Sequence, residues 1–136
     1  MTSRLNPYLT FQGNAREAME FYHSVFGGQL NVDTFGQYGG APDGLSDDGV
    51  MHAQLETDSG FVLMASDAPG DAASQGGSIS VSLSGTDGEL RDYWEKLSTD
   101  GNVTVQFEKQ MWGDEFGMCV DPFGIAWMVN ISQQAA

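Results

Sequence analysis

The sequence has 136 residues, room for one ordinary domain with a single core. Apolar residues make up 40% of it, which excludes an intrinsically disordered chain. Acidic residues outnumber basic ones 19 to 5, a formal net charge of −14. That field repels phosphate backbones and argues against a nucleic-acid partner.

In chain order, the first strand is expected over 5–11. A helix follows, opened by Asn14 as N-cap with Glu17 three residues on, able to reach back to the cap amide. Ala18, Phe21, Tyr22 and Val25 give that helix one apolar face, and Gly27 and Gly28 stop it. A strand over 29–35 leads into a glycine-rich, acidic stretch from Gly36 to Gly49, expected to be a mobile loop. Strands over 50–57 and 61–65 flank Thr57-Asp58-Ser59-Gly60, which suits a type I turn with Gly at its fourth position. Residues 66–77 (SDAPGDAASQGG, with Gly77 last) are small and polar and read as a linker.

The design then repeats. A strand over 78–84 precedes the cap pair Thr86 and Glu89. The stripe Leu90, Tyr93, Trp94 and Leu97 follows, and Gly101 is the stop. Strands over 103–108, 115–120 and 125–131 complete the half, with a second turn at Asp121-Pro122-Phe123-Gly124. Met64 and Met128 occupy equivalent places. The chain thus reads as a single α+β domain of two βαβββ modules in tandem, 5–65 and 78–131. Helices would cover the outer face of each sheet, and the other faces would curve around a cup.

No apolar run reaches the roughly 18 residues that span a bilayer, so no membrane partner is expected. The opening MTSRLNPYLTF lacks the apolar segment of a signal peptide. Cys119 is the single cysteine, so no intrachain disulfide can form, and a cytoplasmic location is expected. Lysine occurs only at Lys96 and Lys109, a balance that fits a salt-adapted surface and an ordinary acidic one equally.

Several blocks resemble PhnB-like proteins. These are Asn6-Pro7-Tyr8-Leu9-Thr10-Phe11, Gly13-Asn14, Glu17-Ala18, Phe21-Tyr22, Met51-His52-Ala53 and Met64-Ala65-Ser66-Asp67. Trp112-Gly113, Phe116-Gly117-Met118, Asp121-Pro122-Phe123-Gly124 and Trp127-Met128-Val129-Asn130 continue the series in order and spacing. PhnB-like proteins belong to the vicinal-oxygen-chelate superfamily, which includes glyoxalase I, extradiol dioxygenases, fosfomycin-modifying enzymes and metal-free bleomycin-binding proteins. The resemblance implies the βαβββ repeat and a homodimer. A methyltransferase label attaches to some members, but the chain shows no glycine-rich nucleotide loop.

In the metal-dependent members, the first and fourth strands of each half each supply one ligand. Motif matching carries those positions to Pro7, Met64, Ser78 and Met128, which offer no imidazole or carboxylate for a hard divalent ion. A one-residue slip, to Tyr8, Leu63 or Ala65, Gly77 or Ile79, and Trp127 or Val129, does not restore the set. No metal and no cofactor are therefore expected, and a glyoxalase-type reaction through a Lewis acid is disfavoured.

Strand alternation nominates the cup residues. His52, Gln54 and Glu56 come from the third strand, Leu9 and Phe11 from the first, and Ser80 and Ser82 from the serine row. Ala126, Met128 and Asn130 come from the last strand, and Trp112 would cap the cup or pack on a partner subunit. Such a half-apolar, half-polar pocket suits a small organic ligand. Whether the chain is an enzyme stays open. As an enzyme it would use His52 as general base, with Gln54, Ser80 and Ser82 orienting the substrate. As a binding protein it would depend on Phe11 and Trp112. A lyase or oxygenase with a metal displaced to His52 and Glu56 is the third reading. Glu56 and His52 also suit ordinary roles, as a solvated charge and a hydrogen-bonded strand histidine. His23 reads as idle, and Cys119 reads as a buried structural thiol.

Overall fold

Alternating apolar residues and two amphipathic stretches give the chain its two βαβββ modules. The computed structural model describes residues 5–68 and 79–132. The chain divides into two units, Met1–Ser74 and Gln75–Ala136, with one module in each.

The first module runs β1 (Tyr8–Phe11), α1 (Ala15–Phe26), β2 (Gln29–Thr34), β3 (Val50–Glu56) and β4 (Val62–Asp67). Its sheet has the order β1-β4-β3-β2. β1 pairs parallel with β4, while β4–β3 and β3–β2 are antiparallel. The second module repeats this with β5 (Val81–Gly85), α2 (Glu89–Ser98), β6 (Asn102–Lys109), β7 (Glu115–Val120) and β8 (Ala126–Ile131), in the order β5-β8-β7-β6. Again the first and last strands pair parallel and the rest antiparallel.

In each module the helix crosses between strands and covers one face of the sheet. α1 buries Ala15, Ala18, Met19, Tyr22, Val25 and Phe26. Phe21, expected in that stripe, is only half-buried, and Met19 takes its place. α2 buries Leu90, Tyr93, Trp94 and Leu97, the whole expected stripe. Under the helices lie Ala53, Leu55, Leu63 and Ala65 in one sheet and Cys119, Trp127, Val129 and Ile131 in the other. Each large buried side chain here contributes roughly 1.5–3 kcal/mol by leaving water.

The helix starts differ from the expected capping boxes. Asn14 stands at the N-cap of α1 but makes no side-chain cap bond. Its role is taken by Asp67, a buried carboxylate (4% exposed) at the end of β4. Oδ1 of Asp67 accepts from the amides of Gly13 (2.8 Å) and Ala15 (2.9 Å), and Oδ2 accepts from Val50 (2.9 Å). α2 starts at Glu89 with Gly88 at its N-cap, and the Glu89 amide donates to Asp87 (3.0 Å) rather than to Thr86. β4 continues through Ser66 and Asp67, two residues assigned to the linker by composition. Residues 69–77 of that linker, and Ser78, lie outside the described residues.

Of the stop glycines, Gly28 and Gly101 are required by contact, and Gly28 by conformation as well. A Cβ on Gly28 (φ +88°) would lie 2.2 Å from the Glu56 carbonyl oxygen, and one on Gly101 would lie 2.2 Å from that of Val120. Both helices thus hand the chain to the sheet at the same point of their modules. The two predicted turns are also equivalent. Gly60 donates to the Thr57 carbonyl and Gly124 to that of Asp121, each at 3.0 Å. The stretch after β2 departs from the expected loose loop. Phe35–Tyr38 form a 3₁₀ turn. Asp47 then ties the segment together, its carbonyl accepting from Gly36 (2.9 Å) and its carboxylate from Ala41 (2.8 Å).

Two ladders are irregular. β2 and β3 shift register between Asp33 and Thr34, and β6 and β7 shift twice, after Val103 and after Val105. Among the described residues no helix is long and apolar enough to cross a membrane.

Asp67→Ala is expected to lower the unfolding free energy by about 3 kcal/mol, because three amides lose their acceptor. Asn14→Ala should change it by less than about 0.5 kcal/mol. Urea denaturation of both variants checks this, and equal losses would return the cap to Asn14.

Candidate functional site

With one face of each sheet under its helix, the opposite, helix-free face holds the side chains available to a ligand. In the first module this face carries Tyr8 and Thr10 from β1, Met64 and Ser66 from β4, and His52, Gln54 and Glu56 from β3. The register sets them side by side, Tyr8 opposite Met64, Thr10 opposite Ser66, and Gln54 opposite Met64 on its other flank.

His52 stands beside the irregularity in β3. Thr34 faces Val50 while Asp33 faces His52, so Met51 is the extra residue of a bulge. The bulge lets Val50 and Ala53 both point under α1, where both are buried, and leaves Met51 and His52 together outside the core. The His52 ring then reaches across β4 to β1. Its Nδ1 is 3.0 Å from the Tyr8 hydroxyl, and the two ring centroids are 5.6 Å apart. Tyr8 remains half exposed (49%), so the pair is open to solvent. Two residues along β3, the Gln54 side-chain amide donates to Glu56 (2.8 Å). Glu56 also borders a cavity of about 440 Å³ at the β3–β4 turn, lined further by Leu5, Asn6, Thr57 and Val62.

Phe11 does not belong to this face. It is buried (4% exposed) on the helix-packed side of β1 together with Leu9. Two-residue alternation in Tyr8-Leu9-Thr10-Phe11 sends the apolar pair under α1 and the polar pair outward, which corrects the expected placement of both Leu9 and Phe11. The polar partners, Tyr8 above all, were the signal that pattern carried.

In the second module, Ser82 lies opposite Met128 and Ser84 opposite Asn130. All four are on the helix-free face, joined by Phe116 and Met118, which pair with Asn130 and Met128 from β7. Ser80 is exposed just before β5. Asn130 donates to Asp114 in the β6–β7 turn (3.1 Å). Trp112 sits in that turn, 64% exposed, its ring 6.4 Å from that of Phe116. Beneath this sheet, Gly117 leaves room for the stacked rings of Trp94 and Phe107. A Cβ there would meet both within 3 Å (2.8 Å from Phe107 Cα, 2.9 Å from Trp94 Cη2).

The positions beside the paired methionines hold Tyr8 and Ser82. Sheet register, rather than motif matching to Pro7 and Ser78, decides this. These positions therefore present a phenol, a hydroxyl and two thioethers. Among the described residues, no three His, Cys, Asp or Glu side chains stand together as metal ligands would. His52 leans toward Tyr8 and Glu56 toward Gln54, so the two side chains named for a displaced metal turn to different partners. His23 Nε2 lies 3.0 Å from the Gly28 carbonyl oxygen at the end of α1 and takes no part in either face.

A model of the 3-demethylubiquinone-9 3-methyltransferase family matches residues 3–130. The chain belongs to that family. Protein YjdN of Escherichia coli (strain K12) is 27% identical over 141 residues, covering 96% of each chain. Protein PA1353 from Pseudomonas aeruginosa is similar in structure, with a TM-score of 0.83 and 37% identity over 98% of this chain and all (100%) of that one. The PhnB protein from Bacillus cereus superposes with a TM-score of 0.75 at 24% identity, over 96% and 100%. These matches bear out the PhnB-like resemblance. The fold is also that of solved glyoxalase/bleomycin resistance/dioxygenase proteins from Frankia and Sphaerobacter thermophilus, at 14% and 16% identity with TM-scores of 0.64 and 0.61.

Cys119 faces α2 and is almost fully buried (1% exposed). Desolvation, with the Asp121 carboxylate adding, pushes its thiol up from 9.0 to about 11. The neutral thiol is neither nucleophile nor ligand. In the unfolded chain it ionises at its ordinary value, so the unfolded state binds fewer protons above that point. The stability contribution of this group is therefore complete below pH 9 and lost as pH rises toward 11. Native protein at neutral pH should resist a disulfide-exchange reagent and react fully once unfolded in urea. Rapid reaction of the native state would place Cys119 in an open, activated setting instead.

Proposed function

We propose that this protein binds a small, partly apolar organic molecule on the helix-free faces of its sheets, in the cup that its resemblance implies, without a divalent ion at the superfamily's usual ligand positions. The observation that carries the reading is the composition of those faces. The first offers a phenol–imidazole pair, a carboxamide and a thioether side by side. The second offers hydroxyls, two thioethers and the aromatic rings of Phe116 and Trp112. Apolar surface with a few oriented polar groups is the usual make-up of a small-molecule site.

The donor set argues against the metal. Thioethers are soft, and neutral phenol and hydroxyl groups are weak ligands for zinc, nickel or manganese. An ion shared by His52 and Glu56 would have to draw each away from its present partner. We further propose that the protein acts as a homodimer, as the resemblance implies, with Trp112 on the ligand cup or at the subunit contact.

A fragment screen by ligand-observed NMR on untagged protein, followed by calorimetry, is expected to yield ligands that shift His52, Gln54 and Met64. His52→Ala should weaken them by about 1 kcal/mol, roughly fivefold in Kd. Elemental mass spectrometry after purification without chelator, and after supplementation with zinc, nickel, manganese and iron, should find no ion near one per chain. A stoichiometric ion that disappears in His52→Ala would overturn the metal-free reading.

A further inference from the structure

We infer that the face around His52 takes an uncharged carboxamide or lactam, whose carbonyl oxygen accepts from the Nε2–H of His52, and that Tyr8 is the positioning residue that makes Nε2 the donor. This deepens the reading of that face as the ligand site and rests on it.

The polarity of the pair belongs to the inference, with the phenol as donor. A neutral imidazole has one donor and one acceptor nitrogen, and the partner of one fixes the role of the other. The Tyr8 hydroxyl lies 3.0 Å from Nδ1. A phenol donates readily, so Nδ1 serves as acceptor and the proton resides on Nε2. The nitrogen left for a ligand is then a donor with no lone pair to spare. In this state His52 binds an acceptor and cannot abstract a proton through Nε2, which departs from the general-base role that its residue type suggests.

Charge narrows the class. Among the described residues, Arg16, Arg91 and Lys96 lie on the two helices and Lys109 ends β6, so no lysine or arginine stands on the helix-free face of the first sheet. Asp33 faces His52 across the β2–β3 ladder, and Glu56 follows four residues along β3. A carboxylate or phosphate would meet these two acids with no lysine or arginine among the described residues on this face to offset them, in a chain of net charge −14. An ammonium would be drawn to the same two acids but gives the Nε2–H of His52 no acceptor. An uncharged carbonyl compound meets neither obstacle.

Gln54 supplies the second half of the match. It is the next outward residue on β3, its Cα about 7 Å from that of His52. Its side-chain NH₂ is turned to Glu56 (2.8 Å), which leaves its carbonyl oxygen as the acceptor on this face. A donor and an acceptor in succession along one strand complement a group that carries C=O and N–H together. Met64, flanked by Tyr8 and Gln54, gives the apolar floor for the rest of the molecule.

The test uses full-length, untagged protein labelled with ¹⁵N-histidine, with His52 distinguished from His23 by a His23→Gln variant. Long-range ¹H–¹⁵N spectra at about pH 8.5 should show the Nε2–H tautomer alone. Tyr8→Phe should introduce a measurable Nδ1–H fraction while leaving the backbone spectrum folded. Benzamide, benzoate and benzylamine, titrated in the millimolar range, should differ. Benzamide should shift the His52 ring and the Gln54 amide at a concentration at least fivefold below the other two, and Tyr8→Phe should reduce that preference. An Nδ1–H tautomer in the parent protein, or an unchanged tautomer in Tyr8→Phe, overturns the role of Tyr8. An Nε2–H tautomer with benzoate or benzylamine favoured overturns the ligand class and leaves the face as the site. No shift on this face with any of the three sinks the ligand class and the binding reading together.

Discussion

A single helix can cover only one face of a four-stranded sheet, and nearly everything else in this protein follows from that. Once α1 lies on the first sheet, the two-residue period of each strand assigns every side chain to the core or to the open face. Ala53 and Leu55 go under the helix, and Gln54 between them goes out. The same division in the second sheet buries Trp127, Val129 and Ile131 and turns the half-buried Met128 and Asn130 to the open face. The open faces are therefore not leftovers of folding. They are the complement of the core, and substitutions that preserve the core leave them free to vary in chemistry.

Two buried carboxylates hold the modules in register, each in its own way. Asp67 at the end of β4 gathers amides from the β1–α1 connection and from the start of β3, so one side chain joins three elements of the first module. Asp121 (3% exposed) opens the β7–β8 turn. It accepts from the amides of Phe123 and Ile125 and from the indole of Trp127, which fixes the largest core side chain of the second module. A duplicated fold thus meets the same need at different points. Buried acceptors with several donors apiece are strong ties, and each leaves several donors stranded if removed.

Much of this was legible in the residues. The helix stripes, the eight strands, the paired turns and the tandem repeat follow from periodicity and turn chemistry, and alternation correctly places His52, Gln54, Glu56, Ser82, Met128 and Asn130 on the open faces. Several features were not legible. The phase of β1 follows the same alternation rule, but its aromatic Phe11 suggests a ligand contact while the helix claims it for the core. Asp67 sits among Ser, Ala, Pro and Gly, a composition that reads as linker, and only the tertiary fold brings it to the start of α1. The Tyr8–His52 pair joins residues 44 apart across an intervening strand. The bulge at Met51 that turns His52 outward has no local sequence mark. Contacts made across a sheet leave no period in the sequence, so a single chain cannot announce them.

The irregular pairing of β6 has a further consequence. β6 is the outer strand of its sheet, and it carries exposed Val103 and Val105 in a run of strong strand formers. A straight outer strand of that composition is a template onto which a foreign strand could add its own hydrogen bonds. The two register shifts break its ladder and turn its backbone groups out of line. The sheet therefore ends where it should, and a valine-rich edge that would otherwise invite fibrillar growth is kept from propagating.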